Sequence, residues 1–164
     1  MVIVIMGVSG AGKTTVGRAL ADALSADFAE GDTYHPPENV AKMASGTPLD
    51  DADRLPWLNA LSREIGTWLD AGRTVVLACS ALKRRYRDIL REGHGGAVRF
   101  VYLKGDGPLI QGRLDERRDH FMPASLLMSQ FDALEEPRDA IWIDVAESPD
   151  DIVPRILAAL ERGQ

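Results

Sequence analysis

The residues with the clearest chemical potential lie in a glycine-rich segment close to the amino terminus. The string Gly7-Val-Ser-Gly-Ala-Gly12-Lys13-Thr14 fits the pattern G-x-x-x-x-G-K-[ST], with an apolar run before it and a helical pattern after it. Glycines in such a segment allow a tight turn in which consecutive backbone N–H groups point at phosphate oxygens. The positive end of the following helix dipole adds to the attraction for phosphate.

This segment predicts that the chain binds ATP and Mg²⁺. Lys13 is expected to reach the β- and γ-phosphates, and the Thr14 hydroxyl is expected to ligate the metal ion. The predicted nucleotide-binding residues of the segment are Gly7, Ser9, Gly10, Ala11, Gly12, Lys13, Thr14 and Thr15. A GTPase would need Asp-x-x-Gly and Asn-Lys-x-Asp strings, and neither occurs in the 164 residues. The chain is also short for a motor or transporter ATPase, so a small-molecule kinase fits best.

A second candidate for chemistry is Asp32, in the string Gly31-Asp-Thr-Tyr-His-Pro36. Its carboxylate would orient or deprotonate an acceptor hydroxyl, or bind Mg²⁺ through water. The structural alternative is a turn-forming aspartate after a glycine. The strand predicted next in the sequence ends in Ala78-Cys79-Ser80 without an acid. Asp32 is therefore the better-placed acid, and we predict that it is catalytic and takes part in metal binding.

Alternating strands and helices have to position these residues. Five short apolar runs predict strands at 2–6, 27–30, 74–79, 98–103 and 141–145. Apolar residues three or four positions apart predict helices at 13–25, 53–71, 82–92, 108–118 and 149–162. This alternation predicts an α/β fold with a five-stranded parallel sheet and helices on both faces.

Two stretches, 33–53 and 119–137, fit that alternation poorly. The first is rich in proline and polar residues, and the second contains His-Phe-Met-Pro followed by another short helix. In open α/β sheets, ligands bind outside the carboxyl ends of the strands. Long excursions at that edge are expected to be substrate-binding segments and lids.

Length and composition narrow the class of protein further. A chain of 164 residues, 45% hydrophobic and 27% charged, predicts one globular domain spanning 1–164. The net charge of −6 makes nucleic acid an unfavourable partner. One cysteine, Cys79, leaves no intramolecular disulfide and is expected to pack at a buried strand end. Neither a targeting sequence nor a membrane span is recognisable, so a cytoplasmic protein is expected.

Beyond the phosphate loop, several strings together resemble the gluconokinase family of phosphate-loop kinases. They are Gly31-Asp-Thr-Tyr-His-Pro-Pro-Glu-Asn39-Val-Ala-Lys42-Met43, Gly46-Thr-Pro-Leu-Asp-Asp-Ala-Asp53-Arg54-Leu-Pro56-Trp57-Leu58, Cys79-Ser-Ala-Leu-Lys83 with Tyr86-Arg-Asp88, Tyr102-Leu-Lys-Gly105, Arg113-Leu114, His120-Phe121, and Ser129-Gln-Phe131 with Leu134-Glu-x-Pro137. The similarity extends from about residue 3 to about residue 160. Similar proteins often have Gly where this chain has Asp119, which bears on the flexibility of the lid.

The resemblance implies a three-layer phosphate-loop kinase fold with an acceptor-binding segment at about 32–58 and a lid at about 113–137. It implies transfer of the γ-phosphoryl group of ATP to the 6-hydroxyl of D-gluconate, giving 6-phospho-D-gluconate and ADP. It also implies a homodimer. In related small kinases, one lid arginine covers the adenine and another contacts the transferred phosphoryl. These roles carry over to Arg113 and Arg117, with Arg118 as a possible substitute for Arg117.

Gluconate carries a carboxylate at one end and a primary hydroxyl at the other. A guanidinium, or a lysine with hydroxyl donors, suits the carboxylate. The predicted substrate-binding residues are Asp32, His35, Lys42, Arg54, Ser80, Lys83, Arg87 and His120. Lys83 and Arg87 lie four residues apart on a predicted helix, so they are expected to converge on one anion.

Two alternatives remain open on the sequence. One is a sibling kinase for another small anionic acceptor, either shikimate or a nucleoside monophosphate. The other is a protein that binds ATP without catalysis and acts as a sensor. The Lys13-Thr14 pair, Asp32 and the lid arginines favour an enzyme over a sensor.

Overall fold

The computed structural model describes residues 1–116 and 124–163. The strands are β1 (Val2–Met6), β2 (Asp27–Glu30), β3 (Val75–Ala78), β4 (Val98–Lys104) and β5 (Ile141–Asp144). The helices are α1 (Lys13–Leu24), α2 (Pro37–Ala44), α3 (Asp51–Asp70), α4 (Arg84–Arg91), α5 (Gly107–Glu116), α6 (Ala124–Ala133) and α7 (Pro149–Arg162), with 3₁₀ turns at Gly31–Tyr34 and Gly95–Ala97.

The five strands form one parallel sheet in the order β2-β3-β1-β4-β5. Alternate side chains of the fully buried strand β1 point to opposite faces of the sheet. Val2, Val4 and Met6 join the core formed with α3 and α4, whereas Ile3 and Ile5 join the core formed with α1, α5 and α7. The prediction of a parallel sheet covered on both faces is confirmed.

The crossover connections create a crevice beside β1. Helix α1 follows β1 and packs on one face, and α4 follows the neighbouring strand β3 and packs on the other. At such a switch point the loops at the carboxyl ends of two adjacent strands separate and leave space for a ligand. The predicted strand limits agree with the observed ones to within one residue at either end.

Helices α2 and α3 differ from the sequence-based expectation, and α4 begins at Arg84 rather than at residue 82. Helix α3 begins at Asp51 rather than at residue 53, because the Asp50 carboxylate accepts the Asp53 N–H at 2.7 Å and the Asp53 carboxylate accepts the Asp50 N–H at 2.9 Å. Helix α2 lies within the stretch 33–53, with Pro37 in its first turn, where the missing N–H has no helical partner to lose. Within the described residues, no helix combines the length and apolar character needed to cross a lipid bilayer.

Candidate active site

The phosphate loop is a tight turn of the backbone that connects β1 to α1. Gly12 precedes α1 with φ of 93°, a left-handed conformation that L side chains rarely adopt. The Lys13 ammonium folds back over the loop and donates to the Val8 carbonyl at 3.0 Å. The N–H groups of Gly7 and Ala11 donate to the carbonyls of Ser80 and Val8. Those two amides therefore hold the shape of the loop.

The first turn of α1 carries the predicted metal ligand. The Thr14 hydroxyl donates to the Glu30 carboxylate at 2.7 Å, and Thr15 is exposed on the same turn. Hydroxyl and carboxylate oxygens are hard ligands that suit Mg²⁺ when substrate phosphates supply the rest of its shell. Glu30 is the last residue of β2, and the sequence-based prediction missed it in favour of Asp32 two residues later. The sequence feature that could have identified Glu30 is its position as an acid at the end of a predicted strand.

A cavity of about 600 Å³ opens next to the loop. It is lined by Ser9, Lys13, Asp32, His35, Met43, Ala44, Ser45, Gly46, Pro48, Leu49, Arg54, Trp57, Ser80, Leu82, Leu126, Ser129 and Gln130. The structure thus brings the loop lysine, the predicted acid, His35, Arg54 and Ser80 to one space. The lining residues extend in sequence from Ser9 to Gln130, so elements distant in the chain enclose the cavity together.

Asp32 lies in the 3₁₀ turn after β2, and its side chain is 73% exposed. His35 Nε2 lies 3.9 Å from Asp32 Oδ1. The carboxylate is therefore open toward the cavity, where an acceptor hydroxyl would reach it.

His35 is held in one orientation by its neighbours. Its ring stacks on Trp57 with centroids 4.1 Å apart, and burial lowers the pKa of the imidazole. The Asn39 amide group donates to the Asp53 carbonyl at 2.8 Å, and the same nitrogen lies 3.2 Å from His35 Nδ1. Because a carbonyl only accepts, that atom of Asn39 is the NH₂ group, and His35 Nδ1 is the acceptor. The neutral ring then carries its proton on Nε2, toward Asp32.

Gly31 allows the acid to reach this position. The Trp57 indole donates to the Gly31 carbonyl at 2.8 Å, which ties the turn to α3. A Cβ at Gly31 would lie 2.5 Å from the Ala78 carbonyl oxygen, closer than real contacts allow. The turn that presents Asp32 therefore packs directly on the backbone at the end of β3.

Replacing Gly31 with alanine should displace this turn. We expect Gly31→Ala to lower the free energy of unfolding by about 1–3 kcal/mol, because the added methyl overpacks a backbone contact. Thermal denaturation and kcat should be measured together, and both should fall. Gly107→Ala is the matched control, since its Cβ would meet no atom within 4 Å. Equal stability of the two variants would contradict the close packing at Gly31.

Arg54 is the guanidinium that reaches the cavity. Its Nη1 donates to the Tyr86 hydroxyl at 3.2 Å, and the guanidinium lies 5.6 Å from the centre of the Tyr86 ring. The Tyr86 hydroxyl in turn donates to the Asp51 carboxylate. Lys83 donates to the same carboxylate at 2.8 Å, and the hydrogen bonds from Lys83 and Tyr86 lower the pKa of Asp51. Lys83 is thus paired with an acid and does not line the main cavity.

Arg87 binds different partners from Lys83, so the structure does not show the two converging on one anion as predicted. Its buried guanidinium donates to the carbonyls of Ala81 at 2.9 Å and Leu82 at 3.0 Å, and burial lowers its pKa. Ala81 has φ of 43°, so Arg87 supports a left-handed turn between β3 and α4. Spacing on the helix was correct, but the backbone carbonyls compete for this side chain.

Other predicted residues lie at the margins of the site. Lys42 pairs with the Asp53 carboxylate at 2.5 Å and is not among the lining residues. The Arg113 guanidinium donates to the Val145 carbonyl, beyond the end of β5. Cys79 is buried as predicted, and burial raises the pKa of its thiol to about 12. Arg117, Arg118, Asp119 and His120 lie outside the described residues.

Two further residues of the cavity were not predicted as site residues. Trp57 packs in the core, and its ring also stacks on His35. Gln130, on α6, contacts the phosphate loop at Ser9. Its position in the chain, 121 residues from Ser9, carries no local signal of this contact.

A parallel sheet of this order, a phosphate loop after its central strand and a cavity beside that loop lined by Lys13 and Asp32 define a phosphate-loop kinase. The family described as AAA domain matches residues 2–138. The thermoresistant gluconokinase of Escherichia coli (strain K12) is 40% identical, with 99% of this chain and 95% of that protein covered. The thermosensitive gluconokinase of the same organism is 47% identical, with 87% and 78% covered.

A solved structure agrees with these relatives. The crystal structure of a gluconokinase from Sinorhizobium meliloti 1021 is 48% identical, with a TM-score of 0.89 and with 98% of this chain and 91% of that chain covered. The chain belongs to the gluconokinase family and is a kinase.

Proposed function

We propose that this kinase transfers the γ-phosphoryl group of ATP to the 6-hydroxyl of D-gluconate, giving 6-phospho-D-gluconate and ADP. The observation that carries the proposal is that Lys13 and Asp32 line one cavity. A volume of about 600 Å³ is sufficient for a six-carbon sugar acid beside the end of a triphosphate. The relatives named above support this choice of acceptor.

The donor side of the site is the phosphate loop. Lys13 would neutralise charge on the β- and γ-phosphates, and the loop amides and the α1 dipole would hold them in place. Thr14 would ligate Mg²⁺, with Glu30 or Asp32 holding a water of its shell. The metal ion would supply charge neutralisation on the phosphate oxygens. Arg113 is proposed to lie near the adenine, and Arg117 remains a proposed phosphoryl contact.

The acceptor side combines one acid, one neutral histidine and one guanidinium. Asp32 would orient the 6-hydroxyl and take its proton as the phosphoryl group transfers. The Nε2–H of His35 would donate to a sugar hydroxyl, and Arg54 with Ser80 would bind the carboxylate. Lys42, Lys83 and Arg87 lie outside the cavity lining, where each is held by an acid or by carbonyls, so we propose a supporting role for them. His120 remains a proposed lid contact.

Positioning and charge neutralisation are the proposed sources of the rate enhancement. In-line transfer needs no covalent enzyme intermediate, so the protein has to align the hydroxyl and the γ-phosphoryl. Closure of the lid over the cavity would exclude water and so suppress hydrolysis of ATP.

Three further properties are proposed from the family resemblance and the composition. The protein is proposed to be cytoplasmic and to form a homodimer. It is proposed to use gluconate, ATP and Mg²⁺ without a nucleic acid or membrane partner, in keeping with its net charge of −6.

A panel of acceptors tests the proposed reaction. ADP release should be followed in a coupled assay with gluconate, other aldonates, shikimate and nucleoside monophosphates, and with no acceptor as the control. We expect kcat/KM for gluconate to exceed that of shikimate and the nucleotides by about 10³-fold or more, because the site's charged groups select their partners. Faster turnover of shikimate or a nucleotide would identify a sibling kinase. ATP binding without ADP release on any acceptor would identify a sensor.

A further inference from the structure

A carboxamide on α6 contacts the phosphate loop at two points. The backbone N–H of Ser9 donates to Gln130 Oε1 at 2.7 Å, and Gln130 Nε2 donates to Ser9 Oγ at 3.0 Å. A backbone N–H only donates, so the oxygen of the carboxamide must face it and the NH₂ group must lie on the other side. The orientation of Gln130 is therefore determined by its partner.

The NH₂ group of Gln130 has a second hydrogen to donate. A carboxamide nitrogen carries two N–H bonds, and one of them is directed to Ser9 Oγ. Across residues 1–116 and 124–163, no acceptor takes the other. Gln130 also lines the cavity that Lys13 and Asp32 line. A donor is thus present in the space where phosphoryl transfer would occur.

The position of Ser9 indicates which phosphate this donor would meet. Lys13 Nζ lies 3.0 Å from the carbonyl of Val8, the residue immediately before Ser9. Because the lysine of this motif reaches the β- and γ-phosphates, Ser9 belongs to the outer, γ end of the loop. Gln130 is bound to Ser9 and lines the cavity that Asp32 also lines.

We propose that Gln130 donates a hydrogen bond from Nε2 to the γ-phosphoryl group and thereby distinguishes ATP from ADP. Ser9 is the residue that aims the carboxamide, since it binds both ends of it. A hydrogen bond to a charged phosphoryl oxygen is stronger than one between neutral groups. The inference rests on ATP as the donor, as proposed above, and adds a contact outside the phosphate-loop motif.

Nucleotide binding to two variants tests the assignment. Gln130→Glu keeps an oxygen for the Ser9 N–H but replaces the donor with a negative charge, and Gln130→Met removes the donor without adding charge. Calorimetry with Mg²⁺ should compare ADP with an ATP analogue whose β,γ-bridge resists cleavage. We expect the analogue to bind about tenfold to a hundredfold more weakly to both variants, and most weakly to Gln130→Glu. ADP should bind within about threefold of its affinity for the unmodified protein.

The control is the other glutamine of the described chain that makes a side-chain hydrogen bond. Gln111, on α5, donates to Asp115 at 2.8 Å and is not among the cavity-lining residues. Gln111→Glu makes the same change of charge, and both nucleotides should bind it within about threefold of normal.

Two results would overturn the proposal. If both nucleotides weaken equally, Gln130 only shapes the loop. If the two affinities are unchanged and the KM for the acceptor rises, Gln130 binds the acceptor instead. Should Gln130→Glu fail to fold, Gln130→Met provides the same comparison. The calorimetric measurement contains no acceptor, and only the KM comparison requires one. The nucleotide affinities therefore do not depend on gluconate being the correct acceptor, whereas failure of the unmodified protein to bind the ATP analogue would contradict the proposed function itself.

Discussion

Lys13→Ala is expected to abolish turnover, with kcat reduced by about 10³-fold or more, since a positioned donor to developing charge contributes on this scale. The ammonium lies over the loop at Val8, where it would neutralise the phosphates as the γ-phosphoryl group leaves. Alanine removes the ammonium charge together with its hydrogen bond to the Val8 carbonyl. Single-turnover and steady-state rates with ATP and gluconate are the measurements.

The matched control is a lysine with a partner away from the cavity. Lys104 lies 3.1 Å from the Glu136 carboxylate and is not among the lining residues. Lys104→Ala should keep kcat within about threefold of the unmodified protein. If Lys13→Ala retained more than about a tenth of its turnover, the phosphate role of Lys13 would be refuted.

The second large effect is expected at Asp32. Asp32→Asn should lower kcat by about 10²- to 10⁴-fold, the usual contribution of a general base. Asparagine has nearly the same shape and still orients a hydroxyl through its oxygen, but it does not take a proton. The dissociation constant for ATP should remain within about threefold, because the phosphates are held by the loop. Steady-state kinetics and calorimetry on the same preparation separate the two quantities.

An acid at the other end of β2 provides the comparison. Asp27 pairs with Arg73 at 2.8 Å on the surface, so Asp27→Asn makes the same chemical change away from the cavity. It should leave kcat unchanged. An unchanged kcat in Asp32→Asn as well would remove Asp32 from the reaction. If added Mg²⁺ restored turnover in Asp32→Asn, the carboxylate would be a metal-shell ligand rather than the base.

The agreement between sequence and structure is closest where the interactions are local. The buried strands were predictable because a strand covered on both faces needs a continuous apolar run, as in Val2–Met6. The phosphate loop was predictable because its conformation depends on glycines within a few residues of each other, including Gly12 with φ of 93°. Lys13 and Asp32 were predicted to lie at the same edge of the sheet, because each follows the carboxyl end of a parallel strand.

For two basic side chains predicted to bind the acceptor, the structure shows partners that helical spacing did not indicate. Helical spacing brings Lys83 and Arg87 to one face, but Asp51 binds the first and the carbonyls of Ala81 and Leu82 bind the second. Asp51 lies 32 residues from Lys83, so no window around α4 contains it. Which partner a charged side chain binds depends on all the elements that pack around it. The spacing of residues within one helix gives no information about those partners.

The amino-acid sequence by itself determined the sheet, the phosphate loop and the acid beside it, because turns, apolar periodicity and strand-end chemistry depend on near neighbours. Only the tertiary structure decided which polar groups share the cavity. It placed Glu30 on Thr14, Trp57 under His35 and Gln130 on Ser9. These contacts arise because the order of parallel strands in the sheet differs from their order in the chain. Loops that are distant in the sequence therefore become neighbours and form hydrogen bonds with each other.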